Sequence, residues 1–269
     1  MARLTGERPM AGATPDSLLA LHDAGYREVA ARLGAGVVLD VGCGVGAQTA
    51  RLGRADRLVV GVDYSAPTVV ATGRERRTDL RLRFAGMDGA RLAVRNGAVD
   101  AVVSSHIIEH FVNPVLHVGE LARVLRPEGT AFVITPNAPA DFENPFHVYL
   151  FEPEHLVSML GLCFEEVECL GLDGDAVLQA DFAGRRASGE RILRLDPLEL
   201  RRHIPHRAYV WTYERALPIV YRLLGSDTSG VGSGIGEEHL LITPRVSPTT
   251  PVLFAIARGP RRATRPSRP

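Results

Sequence analysis

Three aspartates and a cluster of glycines carry the densest chemistry in this chain of 269 residues. Gly42, Gly44 and Gly46 follow directly on the apolar run Val37-Val38-Leu39-Asp40-Val41. Glycines so placed let a strand turn tightly and let a ligand approach the backbone with no Cβ in the way. A helix after them would point free N–H groups and a positive dipole end at that ligand. Asp40 precedes the glycines, Asp63 closes the run Leu58-Val59-Val60-Gly61-Val62, and Asp88 follows a third run. Each falls at or just beyond the C-terminal end of a strand, where open parallel sheets bind ligands. Asp63 is placed to accept from both hydroxyls of a ribose, and Asp88 from an adenine amino group.

A second set lies after the fourth and fifth apolar runs: His106, Glu109, His110 and His147. Imidazole titrates near neutrality, which suits it to take a proton from a hydroxyl nucleophile. His110 is the first candidate base and His147 the second. For His110 a capping or supporting role stands beside that reading, and for His147 a structural one. Glu109 with these histidines forms too soft a pattern to assign a metal, so no metal is expected.

The elements that must hold these residues alternate. An amphipathic segment spans about Asp16 to Leu33, with Leu18, Leu21, Ala24, Val29 and Leu33 at helical spacing. The first strand and the glycines follow, with a helix expected through about Leu52. Ser65 and Pro67 open the next helix. A third strand is expected near Leu80 to Phe84 and a fourth at Val99 to Ser104. Asn113-Pro114 starts a helix, Arg126-Pro127-Glu128-Gly129 reads as a turn, and Ala131 to Thr135 as strand five. Pro153 to Gly161 reads as a short helix and Phe164 to Leu170 as an edge strand, with Glu166 and Glu168 outward. Val252 to Ala257 is apolar throughout and belongs inside the sheet. Together these predict an α/β, Rossmann-like fold: a seven-stranded, mostly parallel sheet with one antiparallel strand and helices on both faces. The expected divisions are a core over 1–172, a helical insertion over 173–251, a final core strand over 252–258 and a disordered tail over 259–269.

The insertion carries a helical face of Val210, Tyr213, Leu217, Val220 and Leu224, then a Gly/Ser-rich loop from Gly225 to Gly236. Tyr209, Trp211, Tyr213 and Tyr221 either pack it onto the sheet or form an aromatic lid. Arg185, Arg186, Arg191, Arg194, Arg201 and Arg202 form a solvated face or grip an anionic group.

Acidic and basic residues balance at 31 each, so no overall charge draws the chain to nucleic acid or an anionic membrane. Every basic side chain is Arg, which reads as coding bias of a GC-rich genome. Three cysteines are too few and too irregular for a disulfide framework or a zinc site. Without a leader-like or membrane-length apolar run, the chain is expected to be soluble and cytoplasmic.

The run Val38-Leu39-Asp40-Val41-Gly42-Cys43-Gly44-Val45-Gly46 resembles the first motif of class I S-adenosylmethionine-dependent methyltransferases. Gly61-Val62-Asp63-Tyr64-Ser65, Val99-Asp100-Ala101-Val102-Val103-Ser104 and Leu125-Arg126-Pro127-Glu128-Gly129 follow in that superfamily's order. Ile108-Glu109-His110 is similar to its "type 11" and ubiquinone-biosynthesis-like branches. The resemblance implies S-adenosylmethionine as cofactor. Asp40, Gly42, Cys43, Gly44 and Gly46 would hold its methionyl part, and Asp63 its ribose. Tyr64, Met87 and Asp88 would meet the adenine, and backbone near Ser105 and His106 would close over the methionine end. It also places the final strand between the fifth and sixth. The implied activity is methyl transfer to a small-molecule acceptor, foremost at oxygen, and the arginine-only composition adds specialised metabolism or glycan modification as its expected setting. Transfer to nitrogen or carbon, a nicotinamide-dependent oxidoreductase using Gly42-x-Gly44-x-x-Ala47, and a non-catalytic cofactor-binding protein are the alternatives. The oligomeric state stays open, a homodimer included.

Overall fold

The computed structural model describes residues 14–76, 79, 81–141, 147–193 and 232–261, with side chains excepted over 188–193. The helical face from Val210, the aromatic set Tyr209 to Tyr221, Arg194, Arg201 and Arg202 lie outside the described residues. So do most of the Gly/Ser-rich loop and the tail beyond Arg261.

The chain opens with α1 (Asp16–Arg32) and then β1 (Gly36–Val41). β2 (Arg57–Asp63), α2 (Ala66–Glu75), β3 (Leu82–Gly86), β4 (Val99–Ser105), α3 (Pro114–Val124) and β5 (Leu125–Pro136) follow. The second half holds α4 (Pro153–Gly161), β6 (Phe164–Gly174), α5 (Ala176–Leu193), β7 (Leu240–Thr243) and β8 (Val252–Pro260). The sheet order is β3-β2-β1-β4-β5-β8-β6-β7. The first five strands run parallel; β8 is antiparallel to both β5 and β6, and β7 is antiparallel to β6.

The strands bury both faces, so consecutive residues feed opposite cores. In β8, Leu253, Ala255 and Ala257 join one cluster with Leu121, Leu156 and Leu160 of α3 and α4. Phe254 and Ile256 join the other, with Leu21, Val29 and Leu178 of α1 and α5. Each such large side chain contributes roughly 1.5–3 kcal/mol by leaving water. That two-sided demand is why β8 reads as an unbroken apolar run.

Several expectations need correction. The sheet has eight strands: Leu240–Thr243, late in the insertion, pairs with Gly171 to Gly174 as a second reversed strand. Glu166 and Glu168 lie on the stretch of β6 that β7 leaves uncovered, and both are exposed. Arg126 to Gly129 is irregular strand with a register shift rather than a separate turn. The expected helix after the glycines is a single 3₁₀ turn, Thr49–Leu52. Ser65 precedes α2, but its hydroxyl meets the Thr68 hydroxyl at 2.8 Å instead of capping a backbone N–H. Gly259 and Pro260 belong to β8, not to the tail.

Candidate functional site

The strand order reverses between β1 and β4, which opens a crevice at their C-terminal ends. The glycine loop leaves β1 on one side of it, and Ser105 and His106 leave β4 on the other. A Cβ on Gly42 would come within 2.8 Å of the Ile107 side chain, so the two loops abut. A Cβ on Gly46 would strike Phe84 and Thr72. Gly44 is different: its φ is +51°, and nothing lies within 4 Å of where a Cβ would stand. Open space over a left-handed backbone position is what close approach of a ligand requires.

Asp63, at the end of β2, is nearly buried. Its Oδ2 accepts from the Gly44 N–H at 3.1 Å and its Oδ1 from the Ser65 N–H at 2.9 Å. The backbone N–H of Met87 donates to the Asp63 carbonyl at 3.0 Å, which brings β3's end against β2's. Tyr64 is 74 % exposed beside it, and Asp88 is exposed with its Oδ1 accepting from the Ala90 N–H. Cys43 is buried within the loop. Asp40 precedes the glycine loop on β1. It is fully buried behind the loop, and its two oxygens accept from the Tyr26 and Thr49 hydroxyls at 2.9 and 2.6 Å. Burial pushes its carboxyl up to about 6, against those two hydrogen bonds.

Across the crevice, His106 has φ of 53°, the one non-glycine residue in the left-handed region among those described. Its N–H donates to the Ile134 carbonyl at 2.8 Å, and its ring lies 4.3 Å from that of His22 on α1. Among the described residues Ser105 Oγ, His106 Nε2 and Glu109 Oε1 are buried without a hydrogen-bond partner, Glu109 Oε1 standing 3.7 Å from His106 Nδ1. An unsatisfied buried polar atom costs roughly 1–3 kcal/mol. Three within five residues, beside an open loop, fit a site shaped for a polar ligand.

Glu109 is the electrostatic centre of this wall of the crevice. Burial pushes its carboxyl up, but His106, His110 and His147 outweigh that and hold it at about 2. Its Oε2 accepts from the Thr135 hydroxyl at 3.0 Å. Its backbone carbonyl accepts from the N–H groups of Val148 and Tyr149, which carries His147 to it. The rings of His110 and His147 lie 5.4 Å apart. His147 Nδ1 lies 2.6 Å from Asp141 Oδ2. Burial pulls the His147 pKa down, yet Asp141 holds it above its ordinary value. Arg186, read from sequence as solvated or anion-gripping, donates instead to the carbonyls of Pro139 and Ala140, next to Asp141. Glu109, His110 and His147, the pattern too soft in sequence to assign a metal, each bring one potential ligand atom within 4.8 Å of the others.

Tyr26, Thr49, His22 and Asp141 escaped sequence reasoning. No local spacing ties a helix residue to a strand end, and Asp141 has no motif of its own. His117 escaped too: its Nε2 meets Ser104 Oγ at 2.8 Å and its Nδ1 the Gly89 carbonyl at 2.9 Å, beneath the stacked ring of Phe111.

This crevice and strand order define a class I, Rossmann-like methyltransferase fold. Residues 39–133 match the family described as methyltransferase domain. A probable S-adenosylmethionine-dependent methyltransferase of Mycolicibacterium smegmatis is 34% identical over 172 residues, 61% of this chain and 66% of that protein. The match thus spans just under two thirds of that relative. Among solved structures, an S-adenosylmethionine-dependent methyltransferase from Thermotoga maritima, a possible histamine N-methyltransferase, superposes with TM-score 0.57 at 13% identity, covering 90% of this chain and 91% of that one. The [4+2]-cyclase SpnF superposes with TM-score 0.53 at 21% identity, covering 88% and 81%. At such identities these two similarities speak for the fold alone. Over residues 39–133 the chain thus resembles a methyltransferase domain, and the relative it matches is named for S-adenosylmethionine as methyl donor.

Proposed function

We propose that this protein transfers a methyl group from S-adenosylmethionine to a hydroxyl oxygen of a small molecule. The observation that carries the cofactor is Asp63 closing the glycine loop beneath the open space at Gly44. Buried polar atoms of Ser105, His106 and Glu109 line the opposite wall. When bound, the sulfonium supplies an electrophilic methyl carbon and leaves as a neutral thioether.

The protein's part is to align the nucleophile in line and to receive its proton. The pair of His147 and Asp141 has the arrangement of an oriented base, with the carboxylate fixing the ring and stabilising its protonated form. Its proton acceptance, with Glu109 ionised nearby, favours His147 over His110 as the base. The reading of specialised metabolism or glycan modification rests on the arginine-only composition.

Calorimetric titration with S-adenosylmethionine and with NAD(H) tests the donor. Binding of NAD(H) alone would overturn the reading. A panel of phenolic and sugar hydroxyls, followed by release of S-adenosylhomocysteine, then tests the acceptor. Assaying each with Mg²⁺ or with a chelator separates proton removal by His147 alone from help by a cation at Glu109, His110 and His147. Cofactor binding with no turnover on hydroxyl, amine or carbon acceptors would favour a binding protein.

A further inference from the structure

Asp40 connects three pieces of chain that are remote in sequence or separated by the glycine loop. It lies in the buried part of β1, next to its last residue, Val41. Thr49, on the far side of the loop, starts the 3₁₀ turn and donates to Oδ2 at 2.6 Å. Tyr26, on the buried face of α1, donates to Oδ1 at 2.9 Å. All three residues are buried, so each hydroxyl keeps its partner out of competition with water. The loop is thereby tied at both ends to one carboxylate, while its middle, Gly44, is tied to Asp63.

We propose that Tyr26 and Asp40 are positioning residues for the cofactor: the Tyr26–Asp40–Thr49 chain of hydrogen bonds sets the glycine loop against α1 in its receiving shape. This rests on the reading of the crevice as the S-adenosylmethionine site. It makes α1, outside the matched 39–133 segment, part of the cofactor machinery. Asp40 acts through the loop rather than touching the ligand.

The chemistry of the carboxyl gives the inference a signature. A protonated Asp40 turns one oxygen into a donor and no longer accepts freely from both hydroxyls. Burial, with the charge of Asp63 on β2 adding to it, raises that protonation to about 6, while Tyr26 and Thr49 oppose it. Cys43 on the loop is the other titratable group bearing on Tyr26. Loss of one tie on acidification loosens the loop. Removing the Tyr26 hydroxyl takes a donor from the ionised form and moves the titration to higher pH.

The test is calorimetric titration of the full chain with S-adenosylmethionine from pH 5 to 8, in wild type, Tyr26→Phe and Asp40→Asn, with thermal melting alongside. The wild type is expected to lose affinity about tenfold below pH 6, the scale of one hydrogen bond to a charged group. Tyr26→Phe should melt near the wild type, bind about tenfold more weakly at pH 7.5, and show its acid midpoint at higher pH. Asp40→Asn should bind weakly with no such midpoint. A wild-type affinity independent of pH, or a Tyr26→Phe protein with wild-type affinity and midpoint, overturns the inference. If Tyr26→Phe does not fold, the wild-type profile and its midpoint in Thr49→Val decide on the same terms. A wild type that binds no S-adenosylmethionine at pH 7.5 overturns the cofactor reading itself, a different failure from an unshifted midpoint.

Discussion

At Asp63 a single carboxylate closes the glycine loop and faces the crevice. Both oxygens hold backbone N–H groups, of Gly44 and Ser65. Asp63→Ala is expected to weaken S-adenosylmethionine binding at least about a hundredfold, since two charge-assisted bonds to a ribose are worth roughly 3 kcal/mol or more. Its melting temperature should stay within a few degrees, and calorimetry with a parallel melt checks both. At His147 the expected loss is in turnover. His147→Gln should leave cofactor affinity unchanged and lower kcat on a hydroxyl acceptor by about 10²–10⁴. A wild-type kcat in that variant would remove His147 from the reaction. The motif made Asp63 legible because strand, aspartate and following helix start form a local pattern. Asp141 was not legible, because its value comes from a 2.6 Å approach to His147 that loop geometry creates.

Among the elements, α1 does the most that its sequence does not announce. Its apolar spacing marked one buried face, and Leu21, Ala24 and Val29 do lie there. The same face also presents Tyr26 to Asp40 and places His22 against His106. Its C-terminal end is held by Arg57 at the start of β2. Arg57 is buried and donates to the carbonyls of Gly34, Leu33, Ala30 and Leu52. Arg57→Met should destabilise the protein by about 3 kcal/mol, because several buried carbonyls lose their donor. Denaturant unfolding reads that, and a loss under 1 kcal/mol would show that water replaces the guanidinium. The late insertion is tied in as well: Arg27 donates to the carbonyls of Glu237 and Leu240, beside β7. β7 itself was missed because four residues with a mixed burial pattern give no strand periodicity.

For the whole molecule, two buried groups oppose each other between pH 6 and 4. Asp40, raised to about 6, binds a proton in the folded state before the unfolded one does. Its contribution is therefore present below the usual carboxylate pKa and lost as pH rises through about 6. His117, lowered to about 4 by burial, stays neutral while its unfolded counterpart takes a proton. Its contribution is lost as pH falls from about 6.5 to 4. Each is worth about 3 kcal/mol at 1.36 kcal/mol per pKa unit, so they largely cancel. His22, lowered by burial in the same sense as His117, tips the balance towards loss on acidification. Asp40→Asn removes the compensating half, and its stability should fall about 3 kcal/mol more than the wild type's between pH 6.5 and 4. Denaturant unfolding across that range checks it; parallel curves would refute it. Below pH 4, protonation of Glu109, held at about 2, removes a further contribution.

The sequence by itself determined the α/β class, the mostly parallel sheet and the place of the aspartates at strand ends. Those follow from period, glycine placement and strand-end position, which are properties of neighbouring residues. Tertiary structure decided that Asp40 accepts from Tyr26 and Thr49, that Asp141 lies behind His147, and that the insertion gives an eighth strand to the sheet. Those depend on side chains distant in sequence meeting in low-dielectric surroundings, where burial and a single hydrogen bond set the charge of a group.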